Sequence, residues 1–167
     1  MNFRSEALIV PRQSTLNIVL VLLLACVAVV ATSSCSGPKL MKLKDIPVPP
    51  SARQGELEGA YEVKLRTSAS EVLRELKEKY GTAEVEIYFL VPDAEWSAIR
   101  NFYESEFQPV GLARDSSFAE EHTGYRLAVW SHDGWLDKKA VAIAVIEAGA
   151  ASEGKSQKFL AVFKAGD

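Results

Sequence analysis

An uncharged apolar run from Leu16 to Ala31 ends in Thr32-Ser33-Ser34-Cys35-Ser36-Gly37 and gives way to a polar, Pro-rich stretch. Sixteen residues fall short of the ~20 that cross a bilayer comfortably as a helix, but they match the apolar region of an export signal. Arg4 and Arg12 precede the run and Glu6 offsets one of them, so the leading flank is weakly positive. This run is set apart from whatever packs downstream, and a fold has to be built from the remainder of the chain.

Small residues before a Cys give the segment a second character. It resembles a bacterial lipoprotein signal peptide, in which such a Cys receives diacylglycerol and becomes the new N-terminus. Leu23-Leu24-Ala25-Cys26 has the family's usual Leu at the third position before Cys, whereas Thr32-Ser33-Ser34-Cys35 has Thr there. Cleavage before Cys26 would leave Val27 to Ala31 as an exposed apolar start, while cleavage before Cys35 removes the whole run, so position favours Cys35. The resemblance implies a signal peptide over 1–34, acyl chains such as palmitate on Cys35, and a lipid-anchored domain in the periplasm. Ser36 and Gly37 lack the Asp that favours inner-membrane retention in the family's enteric members. An uncleaved signal anchor is the competing reading. Lys39, Lys42 and Lys44 outnumber the two preceding arginines, which makes its orientation ambivalent and leaves a cytoplasmic domain open.

Both cysteines of the chain, Cys26 and Cys35, lie in this region, so residues 36–167 have no disulfide framework or thiolate metal site. Without residues 1–35, 17 basic and 21 acidic side chains remain, a net charge of −4. A mildly acidic domain is a poor candidate for nucleic acid, whose binding rests on neutralising phosphates. It fits an anionic lipid surface no better, apart from the lysines beside the tether.

Residues 35–56 carry four of the seven prolines and read as a linker, reaching roughly 60 Å at ~3.1 Å per residue. Residues 57–167 then form a single domain, large enough to bury over ~60% of its unfolded surface. Alternation of Tyr61, Val63 and Leu65 with Glu62, Lys64 and Arg66 predicts a strand. Ser68 and Glu71 predict a capping box, followed by a helix with Ala69, Val72, Leu73, Leu76 and Tyr80 on one stripe, Glu75 supporting Lys79, and Gly81 as its stop. A strand over 85–91 leads to Pro92-Asp93, where Asp93 is the expected N-cap of a helix to Phe107 with Trp96, Ile99, Phe102, Tyr103 and Phe107 on its core face. A loop over 108–123 precedes strands at 125–130, 140–146 and 159–164. Val141, Ile143 and Val145 alternate with Ala140, Ala142 and Ala144, which predicts a central strand whose small face admits a close helix; a helix is the competing reading of this run. The expected fold is α+β: a largely antiparallel five-stranded sheet with two helices packed on one face.

Gly149-Ala150-Ala151-Ser152-Glu153-Gly154-Lys155-Ser156 fits the phosphate-loop pattern, but that loop needs a following helix and a further acidic strand. Residues 157–167 read instead as a terminal strand, and an exported domain meets little ATP, so no nucleotide is expected. His122 lies beside Glu120 and Glu121, and His132 beside Asp133. Neither spacing forms a helical ligand pair, and both are read as solvated loop residues, with no metal or other cofactor expected. Ser131-His132-Asp133 holds triad residue types, but adjacent side chains cannot converge on one line of proton transfer, and Asp133-Gly134 reads as a hairpin turn. Glu84 and Glu86 share a strand face and read as solvated rather than as paired acids.

No catalytic residue is expected. The order of strand, helix with Phe102-Tyr103, then Gly111-Leu112 is similar to small uncharacterised bacterial lipoproteins with an aromatic pair before a Gly-aromatic turn, although Leu112 replaces the aromatic of that turn. The expectation is a non-enzymatic envelope lipoprotein contacting other envelope proteins or the cell wall. Trp135 and Leu136, at a charged hairpin tip, are the candidate partner-binding residues. The alternative is a small-ligand-binding module using an open sheet face around Tyr88 and Trp130.

Overall fold

The computed structural model describes residues 42–56, 59–134, 138–149 and 156–166. Seven antiparallel strands make one sheet: β1 (Ala52–Arg53), β2 (Ala83–Leu90), β3 (Ala113–Arg114), β4 (Glu121–His122), β5 (Tyr125–Asp133), β6 (Lys138–Gly149) and β7 (Ser156–Ala165). Their spatial order is β1-β2-β7-β6-β5-β3, with β4 also beside β5. Two helices, α1 (Gly59–Tyr80) and α2 (Trp96–Phe107), complete the α+β architecture.

The helices cover opposite faces of the sheet rather than one. Alternation in the central strands decides this. Ala140, Ala142, Ala144 and Ile146 of β6 join Phe159, Ala161 and Phe163 of β7 beneath α1, which buries Leu65, Ala69, Val72, Leu76 and Tyr80 against them. The small methyl groups let this helix approach closely. Val141, Ile143 and Val145 point the other way, with Leu160, Val162 and Trp130, and meet Trp96, Ile99, Tyr103 and Phe107 of α2. Each large side chain buried there contributes ~1.5 to 3 kcal/mol. A strand apolar on both faces needs cover on both, which two helices on one side could not supply.

Residues 61–66, expected as a strand, belong to α1. Three alternating apolar residues fit either period, but Leu65 stands four before Ala69 and seven before Val72, on the helical stripe. Val63, which the strand would have buried, is 76% exposed. Ser68 is therefore not a cap but a buried residue inside the helix. Gly81, at φ +89°, ends α1 as expected, donating its N–H to Lys77 O at 2.9 Å. The helix α2 starts later than expected, with Glu95 rather than Asp93 as N-cap and no side-chain capping bond. A turn from Val91 to Ala94, with Ala94 buried and its carbonyl bonded to Lys158 Nζ at 3.0 Å, delays it.

The strand count differs from five because the first expected strand is helical and three two-residue strands, β1, β3 and β4, are added. Part of the expected linker also folds. Leu43 and Ile46 are buried with the α2-side core, and Ala52 N–H bonds to Pro49 O at 2.9 Å in the turn that leads to β1. The described fold thus already uses Leu43, well before residue 57.

Candidate functional site

Loop 113–122, a bare connection in the sequence, carries a dense set of side-chain bonds. Asp115 forms an Asx turn, its Oδ1 accepting from Ser117 N–H at 3.0 Å and from Ser117 Oγ at 2.7 Å. Its Oδ2 accepts from Lys79 Nζ at 2.6 Å and Tyr80 Oη at 2.5 Å, so the ammonium expected to pair with Glu75 reaches across to this loop. Burial alone would raise the Asp115 pKa, but the bonds from Lys79, Tyr80 and Ser117 outweigh it and hold the carboxyl well below its usual range. Burial and the bond to Asp115 push the Tyr80 phenol up, which suits a donor rather than a base.

Glu120 forms the second clasp. Its Oε1 accepts from Trp96 Nε1 at 2.5 Å and Arg100 Nη1 at 3.1 Å, and Arg114 lies 3.5 Å from Oε2. The Trp96 bond, opposed by burial and aided by the two arginines, holds the Glu120 pKa below its usual value. The Arg114 guanidinium lies 5.1 Å over the Trp130 ring and donates to Val129 O at 3.2 Å. Asp115 N–H bonds to Val129 O and Leu127 N–H to Glu120 O, so this loop seals the outer edge of β5. The Asp115-Ser116-Ser117 run was the one sequence signal for such a clasp; the long-range partners had none.

Beside this loop, at the start of α2, lies a cleft of 520 Å³ lined by Glu95, Trp96, His122, Arg126, Glu147 and Lys158 among others. Gly124, at φ +91°, makes the turn between β4 and β5, and its carbonyl accepts from Glu147 N–H. Contrary to the expected solvated loops, both histidines sit half-buried on strands. His122 stacks on Tyr125 with centroids 4.4 Å apart, and its Nε2 lies 2.9 Å from Ala119 O. His132 stands seven residues along β5 from Tyr125, which pairs with His122, or roughly 24 Å away. The two are not brought together, and the described residues hold no metal-ligating group of three or more His, Cys, Asp or Glu. Mixed charges and a lysine pinned to a backbone carbonyl give this cleft the means to hold a polar group.

Ser131, His132 and Asp133 are consecutive on β5 and alternate between faces. Glu84 lies opposite Lys164, and Glu86 accepts from Tyr88 Oη at 2.7 Å. Gly149 and Ser156, the ends of the phosphate-loop pattern, face each other across the β6–β7 hairpin, so a strand follows where that loop requires a helix. Tyr88 and Trp130 are 7% and 0% exposed under α2, so the open sheet face of the ligand-binding alternative does not exist there. Cys35, Trp135 and Leu136 lie outside the described residues. The chain matches no protein-family model, no curated protein and no solved structure.

Proposed function

We propose that this chain is an exported lipoprotein whose folded domain, anchored through Cys35, serves as a non-enzymatic contact module in the bacterial envelope. The observation that carries this reading is the close succession of three features: an apolar run, a small-residue Cys junction at Cys35, and a fold already using Leu43. Eight residues from anchor to first buried side chain span at most roughly 30 Å. The domain is thereby held beside the bilayer rather than at the end of a long linker, within reach of partners at the same membrane.

Charges tied into clasps around Asp115 and Glu120 support a scaffold role for the polar surface. The β5–β6 hairpin connection, bearing Trp135 and Leu136, is the partner contact favoured by composition. Replacing Cys35 with Ser in the full chain tests the reading: the protein should lose labelling by a fatty-acid probe and leave the membrane fraction. Labelling that persists in this variant and vanishes in Cys26→Ser would move the anchor, and labelling absent from the unaltered protein would end the lipoprotein reading.

A further inference from the structure

The two outer edges of the sheet are treated differently. That of β5 is closed by β3, β4 and the Arg114 guanidinium, whereas β1 covers only Phe89 and Leu90 of β2. Backbone direction along β2 follows from the ladder. Gly166 N–H donates to Thr82 O at 2.9 Å, so Thr82 forms a hydrogen-bonded pair on the β7 side, and Glu84, Glu86 and Tyr88 follow it. The alternate residues turn their N–H and C=O groups outward, as Val91 does in donating to Ser51 O at 2.9 Å. Ala83, Val85 and Ile87 therefore present a row of outward backbone groups with no strand opposite them among the described residues.

An unpaired row of this kind is a template for strand addition. A groove of 470 Å³ runs beside it, lined by Gln54, Gly55, Glu56 and Glu86–Tyr88. Side-chain alternation specifies what would fit. A strand added antiparallel, like every other pairing in this sheet, would set one set of side chains beside Glu84 and Glu86 and the other beside the half-buried Val85 and Ile87. On its inner edge β2 already meets such a partner, with Lys164 opposite Glu84 and Phe163 opposite Val85. A second copy of β2 would instead bring glutamates against glutamates.

We propose that the outer edge of β2, over Ala83–Ile87, docks an extended segment of a partner protein in which basic and apolar residues alternate, adding an eighth strand to the sheet. This rests on the reading of the domain as a contact module and not on lipidation at Cys35. The test uses the full-length protein in neutral detergent micelles and a labelled, end-blocked hexapeptide of alternating Lys and Val, followed by fluorescence anisotropy. The peptide should bind, its Glu-for-Lys counterpart should not, and Glu84→Lys should weaken binding by roughly fivefold or more. Val85→Pro removes an outward donor without touching the β7 ladder and should abolish binding. If that variant fails to fold, the peptide supplies the same test. N-methylation of its Val residues, which face the outward groups of Val85 and Ile87, should abolish binding, while N-methylation of its Lys residues should spare it. Cys35→Ser should bind as the unaltered protein does, which separates this site from the anchor. Failure of the Lys-Val peptide to bind, equal binding of the Glu peptide, indifference to Val N-methylation, or self-association of the protein through β2 would overturn the proposal.

Discussion

Tyr80, the last residue of α1, donates its hydroxyl to Asp115 Oδ2 at 2.5 Å and so ties the helix to the loop that seals β5. Tyr80 also stacks on Phe118, at 6.4 Å between centroids, while Lys79 sits 5.0 Å over the Phe118 ring. The clasp thus combines a half-buried carboxylate with apolar cover.

Because the Asp115 pKa is lower folded than unfolded, its contribution is fully present above the ordinary carboxylate value of about 3.8 and is lost as pH falls through the folded value. Asp115→Asn is expected to cost ~1 to 3 kcal/mol at pH 7, the loss of hydrogen bonds to a charged acceptor. Urea midpoints measured at pH 7 and then downward from pH 4 should converge for the two proteins. A constant difference across that range would mean the carboxylate charge is not what the clasp uses.

Tyr103 separates packing from polarity. Its ring is fully buried between Phe107 and Trp130, and its hydroxyl has no hydrogen-bond partner among the described residues. Tyr103→Ala should cost ~3 kcal/mol or more through the cavity it opens. Tyr103→Phe removes an unsatisfied group and should leave stability unchanged or raise it by about 1 kcal/mol. Denaturant midpoints of both variants check this, and a destabilised Phe variant would reveal a partner for the hydroxyl.

The small face of β6 sets how closely α1 can pack. Ala144 lies opposite Ala161 with no exposed surface, beneath α1. Ala144→Leu should destabilise by ~1 to 3 kcal/mol because the helix cannot retreat without losing contacts elsewhere. If the midpoint is unmoved, α1 does not pack as closely as the alanine face implies.

Where long periodic runs existed, the sequence was a good guide. Trp96, Ile99, Tyr103 and Phe107 form the buried face of α2, and the Val/Ala alternation of β6 marks a central strand. Short runs misled, because Tyr61-Val63-Leu65 satisfies a period of two as well as the start of a helical stripe. The covering of both sheet faces was implicit in β6 itself, whose Ala side is as buried as its Val side, but small residues carry little hydrophobic signal. The clasps at Asp115 and Glu120 were hidden for another reason. Lys79 to Asp115 and Trp96 to Glu120 join residues 36 and 24 apart, and no local pattern encodes such pairs. The β2 edge was equally invisible, since an unpaired strand differs from a paired one only in what lies beside it.

The proposed anchor at Cys35 can be read directly from mass. Intact mass of the protein extracted from bacterial membranes should correspond to a chain beginning at Cys35, short of residues 1–34 and heavier by its acyl groups. A chain beginning at Cys26, or an unprocessed chain without added lipid, would contradict it.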